Sequence, residues 1–360
     1  MQPLHIAENI KQAYTLPATF YRDPAYFEAS KDKIFARTWQ LVADTDQLKT
    51  PSQVLPFFFL ESFIDEPLLF TRDTQDQIHC LSNVCTHRGN LVVEQAGKCK
   101  ELRCRYHGRR FGLDGQFVSM PEFKEVENFP TEADHLHRVP FGQWGKFLFA
   151  SLDPAMPLSD VINTMQQRLS WMPFDSFLYD PARSRDYLVK AHWALYCDNY
   201  LEGFHIPFIH PSLNSVLNYD EYAYELYQYA NLQIGYAKGA DFAFDLPPES
   251  PDYGQRIAAY YYWVFPNMMF NFYPWGCSVN IVKPLAPDLT KVSFLTYAMD
   301  STRMTGNTIP LIDRTEREDE EVVEAVQRGV RSRFYKAGRY SPNTEQGVHH
   351  FHRLVQTFLQ

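Results

Sequence analysis

Apolar residues recur at roughly helical spacing in "DPAYFEASKDKIFARTW", behind an Asp-Pro start, which predicts an amphipathic helix over residues 24–39. From Trp39 to Leu152 the pattern changes to short apolar runs, "VLPFFFL", "PLLFTR", "QIHCLSN" and "GKFLFASL". Turn residues in "DTQDQ", "LDGQ" and "FGQWG" separate them, and this punctuation predicts an all-β region of short strands. "DPAMPLSD" at 153–160 has the proline-rich, polar character of a linker. Beyond it the periods mix: a helix over 160–172, a strand over 185–196, and a helix broken at Pro207 within "DNYLEGFHIPFIHP" (198–211). "YYYWVFPNMMFNFYPWG" (260–276) and "SVNIVKPL" read as strands of a larger sheet, too continuously bulky to leave one face in water. "TEREDEEVVEAVQRGVRSRFY" (315–335) reads as a long helix, acidic first and basic last, as the helix dipole favours.

At 360 residues the chain exceeds one ordinary domain, so two are expected. Hydrophobic content of 45% and aromatic content of 16% suffice for sizeable cores. A formal charge of −9, with no basic run, argues against a nucleic-acid partner. "MQPLHIAENIKQAY" lacks the charged start and apolar core of a secretion signal, and no apolar segment reaches the roughly 18 residues of a membrane span. A soluble, cytoplasmic protein without a membrane partner is the expectation. Six cysteines are too sparse for a disulfide scaffold. Cys80, Cys99, Cys197 and Cys277 read as small buried hydrophobes, whereas Cys85 and Cys104 each precede a histidine by two or three positions.

Those two form the first candidate centre. "CTHRGN" (85–90) and "CRYHG" (104–108) supply Cys85-x-His87 and, after a gap of sixteen residues, Cys104-x2-His107. Two thiolates and two imidazoles suit either a tetrahedral structural zinc or a Rieske [2Fe–2S] cluster, in which the cysteines hold one iron and the histidines the other. The ligand order separates the two readings. Zinc fingers usually pair cysteine with cysteine and histidine with histidine, whereas here each loop provides one of each, so that each loop feeds both irons. Gly89 and Gly108, just after the histidines, would let the backbone approach bridging sulfides.

The second candidate centre is Glu202, His205 and His210. An iron that activates dioxygen needs ligands on one face and open positions on the other, which two histidines and a carboxylate provide. Residues five apart on a regular helix point about 140° away from each other. His205 and His210 therefore cannot share a metal from an unbroken helix, and Pro207 between them offers the break.

"CTHRGN…CRYHG" resembles the Rieske motif of the non-haem iron oxygenases, the ring-hydroxylating dioxygenase α-subunit family, and the likeness runs from about Trp39 to near the C-terminus. The resemblance implies an α+β protein. Residues 1–38 would be a helical segment packing on the catalytic domain, 39–152 an antiparallel β Rieske domain, and 153–360 a helix-grip catalytic domain, a curved antiparallel sheet with helices around a mononuclear Fe(II). Cys85 and Cys104 would bind one cluster iron, His87 and His107 the other. "EGFHIPFIH" is similar to the family's mononuclear-iron motif, which makes His205 and His210 iron ligands. It makes Glu202 the electron-transfer bridge between His205 and His107 of the partner subunit. The third ligand in the family precedes a glutamine by about eight residues in an acidic context; Asp319 stands so before Gln327, and is chosen over Asp313, Glu316, Glu318, Glu320 and Glu321. Most of those other acids are expected on a solvated helix face.

The same resemblance implies a terminal oxygenase that receives electrons from a flavin and iron–sulfur reductase and inserts oxygen from O2 into a small organic substrate. A head-to-tail homotrimer would bring the two metals of different subunits together. No Gly-x-Gly-x-x-Gly follows a strand, so a nicotinamide would be oxidised on another protein. Most members carry aspartate where this chain has Glu202; glutamate resembles the branch acting on quaternary ammonium compounds such as choline, carnitine and glycine betaine. Such an enzyme would hydroxylate an N-methyl carbon, with loss of formaldehyde, or oxidise the alcohol carbon of choline. The aromatic residues of 260–276 would cage a trimethylammonium group or stack on an apolar ring, so an aromatic-ring hydroxylase is the second reading. A zinc-stabilised module or an electron-transfer-only Rieske protein is the rival of another class. Arg88, Arg105, Arg109 and Arg110 flank the cluster loops, where they would attract an acidic partner, steady the cluster's charge, or simply be solvated.

Overall fold

In the computed structural model, residues 2–212, 221–239, 243–304 and 308–360 are described, the side chains of 301 and 308–311 excepted. The chain divides into two compact units: Trp39–Ala155, and Met1–Thr38 together with Met156–Gln360.

The first unit is built from short strands, as the turn-punctuated pattern predicts. These are β1 (Gln40–Asp44), β2 (Gln53–Phe59), β3 (Glu66–Arg72), β4 (Ile78–Ser82), β5 (Gly97–Lys98), β6 (Leu102–Arg103), β7 (Arg110–Phe111), β8 (Phe117–Ser119), β9 (Phe141–Trp144) and β10 (Phe147–Ala150). They pair antiparallel as β1-β10-β9, β4-β3-β2-β5 and β6-β7-β8. Val54, Leu69, Leu81, Leu102, Phe111 and Leu136 close a core around the sulfurs of Cys85 and Cys104.

The second unit holds, among the described residues, one antiparallel sheet of eight strands: β11 (Leu178–Tyr179), β12 (Arg185–Val189), β13 (Ala223–Leu226), β14 (Ala230–Tyr236), β15 (Ile257–Val264), β16 (Met268–Tyr273), β17 (Gly276–Ala286) and β18 (Leu289–Ala298). The order is β11-β18-β17-β16-β15-β14-β13, with β12 also on β18. Both faces are covered. Tyr260 and Tyr262 of β15 point to the side of Asp252 and of the helix Leu158–Arg168, the Tyr262 hydroxyl donating to the Thr164 carbonyl at 3.4 Å. Trp263 packs against Phe351 of the helix Gln346–Leu359. Tyr200, ending the helix Trp193–Tyr200, donates to Asn271 of β16 at 2.7 Å. A sheet enclosed this way needs no polar alternation, hence the unbroken aromatic run. The arrangement is the α+β helix-grip expected.

Three boundaries differ from the sequence reading. The strand expected over 185–196 ends at Val189, and Trp193–Tyr200 is helical. Trp193–Cys197 are all buried, and a helix apolar all round loses the periodicity that would betray it. The His192 imidazole caps it, accepting the Ala194 N–H at 3.2 Å. The helix expected over 315–335 spans Thr308–Gly329, starting earlier because Pro310 is tolerated in a first turn. The N-terminal helix is regular over Pro24–Ser30 and continues as a wider π-turn to Phe35. Among the described residues, no helix is long and apolar enough to cross a membrane.

One close approach ties the C-terminal helix to the site. A Cβ at Gly347 would run into the carbonyl oxygen of Leu201, the residue before Glu202. Gly347→Ala is expected to lower stability by about 1–3 kcal/mol. A urea titration reads this as a fall in midpoint with the slope unchanged.

Candidate metal centres

The two Cys-His loops share one backbone path. Cys85 N–H donates to the Asn90 carbonyl at 2.8 Å, and Gly89 N–H to the Cys85 carbonyl at 3.0 Å. Cys104 N–H donates to the Arg109 carbonyl at 2.8 Å, and Gly108 N–H to the Cys104 carbonyl at 2.9 Å. Each loop thus closes on a glycine four residues after its cysteine, with φ of +70° at Gly89 and +76° at Gly108, where a Cβ is disfavoured. The different histidine spacings, two and three, are set into one loop geometry. Cys85 and Cys104 lie in the core, while His87 and His107 are partly exposed with ring centroids 4.7 Å apart. Asn90 Nδ2 approaches Cys104 Sγ at 3.7 Å. Burial pushes the Cys85 thiol above its ordinary range, and the Cys104 sulfur beside it adds to the rise. Paired thiols of this kind ionise onto a metal.

A single zinc fits this set poorly. With bonds of about 2.0–2.3 Å, all four ligand atoms would lie within about 4 Å of one another. Among the described residues, no three of these four side chains bring ligand atoms within 4.8 Å. Sulfurs inside and imidazoles outside fit a two-iron cluster. Of the four flanking arginines, Arg109 is buried, its Nη2 2.6 Å from Asp134 Oδ1 and its guanidinium over Phe117 and Phe129. It braces the unit and is removed from any docking role. Arg110 pairs with Glu101 and Arg105 with Glu94, whereas Arg88 is exposed.

The second centre gathers His205, His210 and Asp319. One ligand atom from each lies within 4.8 Å of the others, the one such group among the described residues. Nε2 of His210 and of His205 stand 3.0 and 3.5 Å from Asp319 Oδ1. The chain's turn between the histidines differs from expectation. The helix Trp193–Tyr200 stops at Leu201, before His205, and a single turn Ile206–Ile209 follows. Pro207 occupies the first turn of that segment, where its missing N–H costs no helical bond. The break precedes His205, and His210 turns inward through its own non-helical backbone (φ −117°, ψ 72°).

The far nitrogen of each histidine is held by a carboxylate. His205 Nδ1 meets Glu202 Oε1 at 2.7 Å, and Glu202 Oε2 also accepts the His205 backbone N–H at 3.0 Å. His210 Nδ1 meets Glu318 Oε2 at 2.8 Å, and Arg314 Nε donates to the other oxygen at 2.9 Å. Asn199 Nδ2 donates to Asp319 Oδ1 at 2.6 Å. A carboxylate on each Nδ1 places the proton there and leaves each Nε2 lone pair free, facing Asp319. Burial disfavours a charged His210, yet Asp319 and Glu318 outweigh it and raise its pKa. The pocket calls for a cation, and the donor set fits a mononuclear iron with open positions.

Of the helical acids, Glu321 alone among those weighed is exposed. Asp313 accepts the Tyr187 hydroxyl at 2.9 Å, and Glu316 that of Tyr196 at 2.6 Å. The solvated face expected for most of them is therefore corrected: positions 316, 320, 323 and 327 form the stripe packed inward at helical spacing. Gln327, eight residues after Asp319, accepts the His192 N–H at 2.9 Å and ties the two helices together. Asn199 carries no signal in the sequence, and Glu318, an alternative there for the third ligand, has a different place in the structure. Glu318 is adjacent to Asp319, and only the packing shows that it backs His210.

Comparison with known proteins agrees in both units. Residues 38–130 match the Rieske [2Fe-2S] domain, and residues 174–360 the ring hydroxylating alpha subunit (catalytic domain). The chain is 30% identical to the chloroplastic choline monooxygenase of Arabidopsis thaliana, over 98% of this chain and 84% of that protein. It is 28% identical to the carnitine monooxygenase oxygenase subunit of Escherichia coli strain K12, over 98% and 96%. A quaternary ammonium Rieske monooxygenase, solved in work on carnitine oxidation by gut microbiota and inter-subunit electron transfer, superposes with a TM-score of 0.81 at 25% identity, covering 100% of both chains. With a Rieske domain ahead of a mononuclear-iron catalytic domain, the chain belongs to the ring-hydroxylating oxygenase α-subunit family and is an O2-using oxidoreductase with both iron cofactors.

Proposed function

We propose that the protein is the cytoplasmic terminal oxygenase of a monooxygenase system for a quaternary ammonium compound. Cys85 and Cys104 would hold one cluster iron, His87 and His107 the other. The catalytic iron(II) would be held by His205 Nε2, His210 Nε2 and the Asp319 carboxylate. Once bound, these groups supply single electrons and activate O2, so that one oxygen atom enters a C–H bond and the other leaves as water, with two electrons and two protons consumed. Glu202 and Glu318 keep the imidazoles oriented and their Nδ1 protonated. Asn199 holds the Asp319 carboxylate in register. A flavin and iron–sulfur reductase would feed the cluster, and a head-to-tail homotrimer would let Glu202 bridge to His107 of the partner subunit.

The observation that carries this reading is the convergence of His205, His210 and Asp319 within 4.8 Å, each histidine backed by a carboxylate. Its substrate class is supported by the choline and carnitine monooxygenases that resemble the chain along nearly its whole length. It is also supported by an aromatic group carried by the sheet. Tyr273 lies 5.9 Å from Tyr261 and stacks on Trp275 at 5.0 Å, faces suited to a trimethylammonium group.

Iron-reconstituted protein with a surrogate reductase is expected to take up O2 when choline, carnitine or glycine betaine is added. Formaldehyde or an aldehyde should appear in proportion. Stimulation by a simple arene and by none of the ammonium compounds would replace this substrate class with an aromatic one.

A further inference from the structure

A pocket of about 290 Å³, its mouth included, opens between β12, β17, β18 and the helix Thr308–Gly329. It is small beside the pockets that enclose a whole ligand, roughly 300–1,000 Å³, and suits one end of a molecule. Ser278 and Thr296, paired across β17 and β18, line it together with Arg183, Arg185, Tyr187 and Asp313. Most of the charges around it are already matched. Arg183 Nη1 meets Asp180 Oδ2 at 2.5 Å. Both oxygens of Asp313 are taken, Oδ1 by the Tyr187 hydroxyl at 2.9 Å and Oδ2 by Arg317 Nε at 3.1 Å. Arg185 feels the charge of Asp313 from farther off and makes no ion pair among the described residues. Three guanidinium groups therefore stand against two carboxylates, and the unmatched positive charge lies at the pocket. The occupant that suits it is a carboxylate, whose two oxygens the guanidinium fork can engage together.

The pocket also stands at a useful distance from the groups already described. Tyr261, Asn271, Ser278 and Thr296 are register neighbours across β15 to β18, so their side chains share one face of the sheet. Tyr273, two residues beyond Asn271, belongs to that face as well. Neighbouring strands lie about 4.8 Å apart, which sets β18 about 10 Å from β16 and its aromatic ring. Asp313 precedes Asp319 by six residues, about 9 Å along the helix axis. A betaine such as carnitine or γ-butyrobetaine has a cationic head and a carboxylate at opposite ends of a short chain, and can touch both regions at once. We propose that Arg185, with Arg183 beside it, binds the carboxylate of a zwitterionic substrate in this pocket and turns the trimethylammonium end towards the aromatic group and the iron ligands. The proposal rests on the quaternary ammonium class inferred above, and narrows it from choline to a carboxylate-bearing betaine.

Calorimetric titration of the metal-loaded protein with carnitine, carnitine methyl ester and choline tests this. The ester keeps the ammonium head and the hydroxyl but carries no negative charge. Wild type is expected to bind carnitine at least about tenfold more tightly than the ester or choline, as hydrogen bonds to a charged group allow. Added salt should narrow that preference. Arg185→Gln should weaken carnitine binding about tenfold and leave ester binding as it was. Arg185→Lys, which keeps the charge without the fork, should recover part of the loss. A thermal melt confirms that both variants fold, and the comparison of carnitine with its ester needs no variant. Equal affinity of wild type for carnitine and its ester, or unchanged carnitine binding in Arg185→Gln, would overturn the carboxylate pocket and leave the proposed function standing. Failure of wild type to bind any of the three would remove the substrate class itself, and the role of Arg185 with it.

Discussion

Asp319→Ala is expected to empty the catalytic iron site and abolish substrate-dependent O2 uptake, while the red-brown spectrum of the Rieske unit persists. Asp319 Oδ1 is the atom on which both imidazole Nε2 atoms converge, at 3.0 and 3.5 Å. Removing a carboxylate that merely backs a ligand already costs about 10- to 100-fold in metal affinity, so loss of the ligand itself should exceed about 100-fold. Folding should survive, because alanine also removes a negative charge that Glu316 resists. Iron and acid-labile sulfide assays after dialysis read the result: iron falls by the share of the mononuclear site, and sulfide is unchanged. Full iron content with normal O2 uptake would remove Asp319 from the ligand set.

Glu202→Gln is expected to leave both metals in place and to slow electron delivery by about 10- to 100-fold, the range for losing a carboxylate behind a metal-bound histidine. Glu202 holds His205 twice, through Nδ1 at 2.7 Å and the backbone N–H at 3.0 Å. Glutamine's single carbonyl can replace one of these contacts but not the charge. Single-turnover mixing of reduced protein with O2 and substrate follows the cluster's reoxidation. A positioning role alone would show as lost iron; a role in the electron path shows as slow reoxidation with iron retained. Wild-type reoxidation at full iron occupancy would free Glu202 from both roles.

The parts of this protein legible without a fold were those closed within a few residues. Cys85 to Gly89 and Cys104 to Gly108 are loops whose hydrogen bonds span four or five positions. Glu202 likewise reaches His205 within its own turn. Residue type and spacing were enough to show these groupings. The start of the helix Trp193–Tyr200, as far as Tyr196, reads as strand in the sequence because its first five residues are all buried, so no face alternates with solvent to report a period. Pro207 suggests a broken helix in the sequence, but the helix before it has already ended at Leu201.

The amino-acid sequence alone determined two sets of metal-type ligands, the alternating order that separates a two-iron cluster from zinc, and the β-then-α+β succession along the chain. Only the tertiary structure decided which acids of the long helix meet His210. Asp319 and Glu318 reach His210 across 109 and 108 residues, and Asn199 reaches Asp319 across 120. Contacts that distant arise because Trp193–Tyr200 and Thr308–Gly329 pack together over one face of a curved sheet. That packing buries Glu316, leaves one of its oxygens unpartnered, and presents Asp319 to both imidazoles. Backbone geometry sets what lies within a turn, whereas burial of whole helix faces sets what meets across the fold.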